Sequence, residues 1–270
     1  MTVNVPGARR AWRAAAVLPL VAALCGCDVS IGNLAGRATD EWTHTYPLAA
    51  GGELEIANTN GRIEIEGVAG STVEVRAERI AKAATDAGAK ELLPRIVIKE
   101  DVKPDHVTIE TERITGFMIG ANFEVRYHVR VPKNVFVHVT NTNGQVAATA
   151  LGGKLDVRTS NGGIVARDVS GAIEAQTTNG NVNVDVASLA NPVSLKTTNG
   201  AMTLTLPDDA KADLSANCTN GGITVSGLKL DTTENSRRRV EGTLNGGGTK
   251  IELRTTNGGI RVRSRSVVER

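Results

Sequence analysis

Aromatic residues are scarce in this chain. Two Trp, two Tyr and three Phe make up 3% of its 270 residues, and from Val139 to Arg270 there is no His, Trp, Tyr or Phe. The second half therefore has no ring to stack on a sugar and no imidazole to move a proton, the groups that carbohydrate surfaces and general acid–base sites use most often. Cysteine is nearly absent too: Cys25, Cys27 and Cys218 are too few for a disulfide framework. Nor does one sign of charge dominate. There are 31 Lys+Arg against 29 Asp+Glu, and without Arg9, Arg10 and Arg13 of the leader the balance is 28 against 29, a net of −1. This excludes a generally basic surface and argues against a nucleic-acid partner.

The N-terminus is informative. Arg9, Arg10 and Arg13 precede an apolar stretch, Ala14 to Leu24, of 11 residues. That is short of the roughly 20 a spanning helix needs, so residues 1–26 read as a signal peptide. The segment ends in Leu24-Cys25-Gly26-Cys27, which resembles the lipobox of bacterial lipoproteins. The resemblance implies lipidation at Cys27 and a membrane partner through that anchor; Cys25 departs from the usual Ala, Ser or Thr. The other reading is a secretory signal followed by a chance Cys. Asp28 resembles an inner-membrane retention signal of enterobacterial lipoproteins. Residues 27–41, with little periodicity, are expected to be a tether, and residues 42–265 a single domain.

What the chain has in abundance is glycine, 29 residues, much of it in Asn-Gly pairs at Asn60, Asn143, Asn161, Asn179, Asn199, Asn220, Asn245 and Asn257. From Asn143 to Asn220 the intervals are 18, 18, 20 and 21, and Asn257 follows 37 later, close to two periods. A fixed period near 20 marks stacked repeats. Aligned on the Asn, the residues six and four before it are apolar, as are those three and five after: Leu155, Val157, Ile164 and Ala166 in one unit, Val193, Leu195, Met202 and Leu204 in another. The buried parity changes across each Asn-Gly, so the chain turns there, with Asn tolerating the left-handed region and Gly a positive φ. A hairpin with a two-residue turn also fits a single unit; the near-constant spacing favours stacked coils. Two places before the Asn stand Asn58, Asn141, Thr159, Thr177, Thr197, Cys218 and Thr255, on the inward parity. They are expected to satisfy buried backbone groups along the stack, with Cys218 as a small buried filler.

The expected fold is all-β: a right-handed parallel β-solenoid (β-helix) with a short N-terminal helix/strand cap. Residues 42–136 form the cap and first strands, and residues 137–265 the Asn-Gly coils. Within the cap the alanine-rich stretch Arg79–Leu93, closed by Pro94, predicts a helix over the open end of the array. Strand patterns resume at Ile96–Glu100, His106–Glu112 and Phe123–Val131.

Several of these pieces carry a family resemblance. They are Gly51-Gly52-Glu53-Leu54-Glu55-Ile56, the helix after the second strand, Tyr127-His128-Val129-Arg130-Val131-Pro132, the Thr-Thr-Asn-Gly-Gly-Ile series and the closing Gly246 to Arg254. Together, over roughly Trp42 to Arg265, they resemble the bacterial putative-adhesin domain family, domains of largely unknown function. The resemblance implies a β-solenoid and a cell-envelope setting, and it brings no catalytic residues.

Asp156, Asp168 and Asp185 fall 13, 7 and 6 residues after their Asn and do not form a row. The corners hold no Asp for calcium, and His128 and His138 fall on outward parity as surface residues. No enzyme, metal or cofactor is expected. The candidate interaction residues are the apolar run Phe117, Met118, Ile119, read as a buried plug or an exposed loop, and two basic clusters: Arg237, Arg238 and Arg239, and Arg261, Arg263 and Arg265. The arginines guard the last coil against edge pairing or contact anionic headgroups. The expected function is a lipoprotein on the periplasmic or surface side of a membrane, presenting a scaffold for adhesion or binding to a protein or envelope polymer. The alternative is a regulatory or structural partner of an envelope stress or transport system, and a glycan-active β-helix enzyme ranks third.

Overall fold

In the computed structural model, Met1 and residues 35–112 and 120–267 are described. The signal peptide, Cys27 and the Phe117–Ile119 run lie outside the described residues. The chain divides into two compact units, Met1–Gly32 and Asn33–Arg270; the elements below belong to the second.

The entry region comprises β1 (Gly36–Pro47), β2 (Glu53–Asn60), β3 (Ile63–Val68), β4 (Thr72–Ala83), the helix α1 (Asp86–Leu92), β5 (Ile98–Val102), β6 (His106–Thr111) and β7 (Ala121–Pro132). Strands then come in pairs hinged at Asn-Gly: β8 (Phe136–Asn143) and β9 (Val146–Thr149), β10 (Leu155–Asn161) and β11 (Ile164–Val169), β12 (Ile173–Asn179) and β13 (Val182–Val186). They continue as β14 (Val193–Asn199) and β15 (Met202–Leu206), then β16 (Ala212–Asn220) and β17 (Ile223–Ser226). A hairpin, β18 (Leu230–Asn235) and β19 (Arg239–Leu244), precedes the last pair, β20 (Thr249–Asn257) and β21 (Ile260–Ser264).

These strands build two facing sheets. One has ten strands in the order β1-β4-β7-β3-β9-β11-β13-β15-β21-β17; the other has eleven, β18-β19-β16-β20-β14-β12-β10-β8-β2-β6-β5. The fold is nearly all-β and solenoid-like, as the repeat implies. The coils stack in parallel register, each position on its counterpart: Leu155 on Ile173, Val157 on Ala175, Thr159 on Thr177. Inward residues of both sheets form one core, with Ile56, Val139, Val157, Ala175, Leu195 and Leu253 at most 1% exposed. Each such Val, Leu or Ile side chain stabilises the fold by about 1.5–3 kcal/mol on burial.

Four expectations are corrected. The sheets are not purely parallel: β4 pairs antiparallel with β1 and β7, as do β5 with β6 and β19 with β16 and β18. The tether does not extend to residue 41, because β1 starts at Gly36 and pairs with β4 over its whole length. Its inward positions include Asp40, whose carboxylate takes two hydrogen bonds from Arg79, one from Nε at 2.8 Å, so apolar alternation is missing. The helix is shorter than Arg79–Leu93, since Arg79 to Ala83 continue β4. Pairing with both β1 and β7 outweighs the helix preference of the alanines. Thr85 caps α1 by accepting from Gly88 N at 3.1 Å, and the helix packs on β1 and β4 while antiparallel strands extend both sheets past the parallel coils.

The fourth correction concerns order. The last coil in sequence is not last in space: β20 lies between β14 and β16, and β21 between β15 and β17. The stack thus runs through Asn60, Asn143, Asn161, Asn179, Asn199, Asn257 and Asn220, and their side chains form a continuous carboxamide ladder. Each Nδ2 donates to the preceding Oδ1 at 2.7–2.9 Å. None of these seven has a positive φ; Asn245, which does (48°), stands outside the ladder and donates to Asp208 O and Ala210 O. The asparagines are there for their amides. The glycines are there because the coils approach too closely for a side chain: a Cβ on Gly162, Gly180 or Gly200 would overlap the carbonyl oxygen of Gly144, Gly162 or Gly180.

The inward Thr row completes this corner. Thr177, Thr197 and Thr255 donate to the carbonyls of Gly162, Gly180 and Gly200 at 2.9, 3.0 and 3.2 Å. Asn141 serves Gly61 O and Gly144 O, which leaves the buried hydroxyl of Thr159 without a partner. Cys218 is buried in its Thr slot with a free thiol. Thr177→Val is expected to lower the melting temperature by about 2–4 °C, the effect of one hydrogen bond in a domain of this size. Thr159→Val is expected to leave it unchanged or raise it. Equal losses in thermal melts of the two variants would contradict the assignment.

Candidate binding groove on the outer face of the ten-stranded sheet

Outward positions four and six residues after each ladder Asn form two rows across this sheet. The first reads Glu64, Ala147, Val165, Asn183, Thr203, Arg261, Thr224; the second Glu66, Thr149, Arg167, Asp185, Thr205, Arg263, Ser226. Toward β7, β4 and β1 the charges are cancelled locally. Arg62 meets Glu64 at 2.6 Å, His128 meets Glu64 at 2.8 Å, Arg126 meets Glu124 at 2.7 Å and Arg130 meets Glu74 at 3.2 Å. The hydrogen bond from Arg126 to Glu124 also raises the guanidinium pKa.

Beyond β9 that cancellation is incomplete. A groove of about 660 Å³ opens there, with Val165, Asn183, Thr203 and Thr205 on its floor and Arg167, Arg261, Arg263 and Arg265 around it. The floor is short-chained because the rows place Asn and Thr on β13 and β15, while arginines rise from β11 and β21. These flanking strands are three strand spacings apart, about 14 Å. A bulge in β11 between Ala166 and Val169, with Asp168 at a φ of 54°, leaves both Arg167 and Asp168 exposed at one wall.

The four arginines are held differently. Arg265 donates to Asp185 Oδ1 at 2.8 Å and to Val186 O at 3.1 Å, and Arg263 donates to Thr205 Oγ1 at 3.2 Å. Among the described residues neither Arg167 nor Arg261 has a carboxylate partner. The segment carrying Arg265 is fixed by Ser264, whose hydroxyl donates to Asp208 and holds that carboxyl below its usual range. Guanidinium groups around a floor of hydroxyls and an amide favour an anionic, hydroxyl-bearing ligand.

The structure separates the two basic clusters that the sequence set together. Arg261 and Arg263 are in the groove on the interior strand β21, with Arg265 directly after it, so they do not guard an edge. Arg237 and Arg238 lie exposed in the β18–β19 loop at the end of the stack, beside the Cys218 corner, where Arg238 O accepts from Cys218 N. Arg239 is tied to Glu241 at 2.8 Å and Glu234 at 3.1 Å. His128 is exposed, but His138, although on the outer face of the other sheet, is mostly covered and meets the buried Asp156 at 3.3 Å. A second depression on that sheet, about 620 Å³, includes Arg254, Arg239 and Lys196, and the two arginines are paired with Glu252 and Glu241. Arg167, Asn183, Thr203 and Thr205 were missed in sequence because only the inward columns were aligned; columns four and six after the Asn contain them.

No group of three His, Cys, Asp or Glu among the described residues is placed to hold a metal ion. No helix among them is long and apolar enough to cross a membrane.

No curated protein matches the chain. Among solved structures it is similar to "a putative cell adhesion protein" from Clostridium sporogenes, at 14% identity and a TM-score of 0.48, covering 84% of this chain and 100% of that one. It is also similar to "a putative adhesin" from Bacteroides fragilis, at 11% identity and a TM-score of 0.38, covering 83% and 97%. A third, "putative adhesin" from Parabacteroides distasonis, has 14% identity and a TM-score of 0.28, covering 83% and 97%. The family match is to the coils themselves: residues 133–263, which carry the groove and the Asn-Gly ladder from Asn143 onward, match the Toastrack DUF4097 family.

Proposed function

We propose that this chain is a cell-envelope lipoprotein that presents a right-handed solenoid as a rigid, non-catalytic surface for binding. The hand is the one favoured when parallel strands of one sheet are joined by a crossover. The observation that carries the binding reading is the break in charge pairing on the ten-stranded sheet. Arginines elsewhere on that face are matched by glutamates, whereas Arg167 and Arg261 stand unmatched over a floor of small polar groups. A surface evolved only to stay soluble gains nothing from such a break, and a binding surface needs one. The contact is with a protein or envelope polymer, and the anchor is a lipid on Cys27.

Fractionation of producing cells tests the anchor. The unaltered chain is expected in the membrane pellet and Cys27→Ala in the soluble fraction; retention of Cys27→Ala in the pellet would remove the lipid from the proposal. Affinity capture with the acylated protein tests the role, with retention of envelope polymer supporting a binding scaffold. Recovery of one stoichiometric membrane protein would instead favour the regulatory reading. That reading draws on Val97 and Val102, 40% and 44% exposed at and beside the open edge strand β5.

A further inference from the structure

We infer that the groove between Arg167 and Arg261 binds an acidic polysaccharide, its carboxylates held by the guanidinium groups and its hydroxyls by Thr203 and Asn183. This rests on the binding-scaffold reading and narrows it to one ligand chemistry.

The Thr203 hydroxyl and the Asn183 carboxamide, paired on adjacent strands, both donate and accept hydrogen bonds, which suits sugar hydroxyls; Thr205 is buried and accepts from Arg263. No aromatic ring lines the groove, so a neutral glycan would lack the stacking surface that usually holds it. Charge must supply that hold. Arg167 and Arg261 are open to an incoming anion, while Arg263 and Arg265 are already oriented by Thr205 and Asp185. A guanidinium binds a carboxylate through two parallel N–H bonds, a geometry that a lysine could not offer.

The acids of the groove narrow the ligand further. Asp168 and Asp185 lie among the arginines, so the surface alternates in sign rather than being uniformly positive. A plane of anionic headgroups is attracted by net charge and is indifferent to such alternation. A chain of sugars with carboxylates at intervals fits it, each anion resting on an arginine and the intervening hydroxyls facing the aspartates, Thr203 and Asn183. With arginine walls about 14 Å apart, the groove spans roughly three sugar units.

Titration calorimetry of the full chain with oligogalacturonate, dextran oligosaccharide and phosphatidylglycerol vesicles tests this. Expected are saturable binding of oligogalacturonate that weakens with salt, no binding of dextran, and loss of affinity by about tenfold or more in Arg167→Gln/Arg261→Gln, the effect of about 1.4 kcal/mol or more. Arg237→Gln/Arg238→Gln, outside the groove, is expected to bind as the unaltered chain does. Matching thermal melts establish that the variants fold. Equal affinity for dextran, or an unchanged affinity in Arg167→Gln/Arg261→Gln, would overturn the inference while leaving a binding scaffold in place. Binding to the vesicles alone, lost in Arg167→Gln/Arg261→Gln, would overturn it in favour of a lipid surface. Capture of no envelope polymer at all in the preceding experiment would instead remove the reading beneath it.

Discussion

Gly180→Ala is expected to lower the melting temperature by about 6–12 °C, corresponding to a loss of about 3 kcal/mol. The added methyl has nowhere to go. It would overlap Gly162 O, and that oxygen is fixed on its other side by the Thr177 hydroxyl at 2.9 Å. Relief requires the two coils to separate at the corner. That would stretch the bond from Gly162 N to Asn179 O (2.9 Å) and the carboxamide bond from Asn179 to Asn161 (2.8 Å). Gly222→Ala provides the comparison. Its Cβ would come no closer than 4.0 Å to any heavy atom, so its expected change is within about 0.5 kcal/mol. Differential scanning calorimetry of both variants checks the pair. Similar melting temperatures would mean that coil spacing at the corner is loose.

A chain ending at Asn245 is expected to lose all protection from hydrogen exchange over Ala212–Leu244, although none of those residues is removed. In a plain repeat stack the terminal unit contacts one neighbour, so its removal leaves the rest intact. Here the final coil joins two blocks. Residues of β16 pair with β20 and β19, and β17 pairs with β21 alone. Without β20 and β21, the strands β16 to β19 keep only one another, and a small antiparallel group with one apolar face exposed has little independent stability. The stack from β2 to β15 retains its own pairings and is expected to stay protected. Hydrogen exchange read by mass spectrometry distinguishes this from its opposite: slow exchange over Ala212–Leu244 in the shortened chain would show that those strands do not depend on the last coil.

These expectations also show what the sequence made legible. Alternation around each Asn was sufficient to place β10 through β15 and the inward Thr row, because local pattern and tertiary pairing agree there. It was insufficient for β1, whose inward Asp40 breaks the apolar rhythm and is satisfied by Arg79, while Trp42 packs only partly on the core. It misled for Arg79–Ala83, where alanines favour a helix in isolation but two flanking strands decide. The insertion of β20 and β21 was hidden, since any coil of the right parity fits any slot and the spacing of 37 residues suggested a skipped period. The groove was hidden for the same reason: Arg263 becomes a neighbour of Thr205 and Asp185 only once β21 is set beside β15. The arginines themselves were visible, their company was not.

The corner has one further consequence, in its dipoles. Backbone donors there all point one way along the stack, Gly144 N to Asn161 O, Gly162 N to Asn179 O, Gly180 N to Asn199 O and onward to Asn220. The carboxamides point the other way, from Asn161 back to Asn143 and from Asn179 back to Asn161, as do the hydroxyls of Thr177 and Thr197. Aligned dipoles sum along a row, and opposed rows cancel. Each added coil therefore brings its own compensation at the turn, and the column of corners can lengthen without charging its ends.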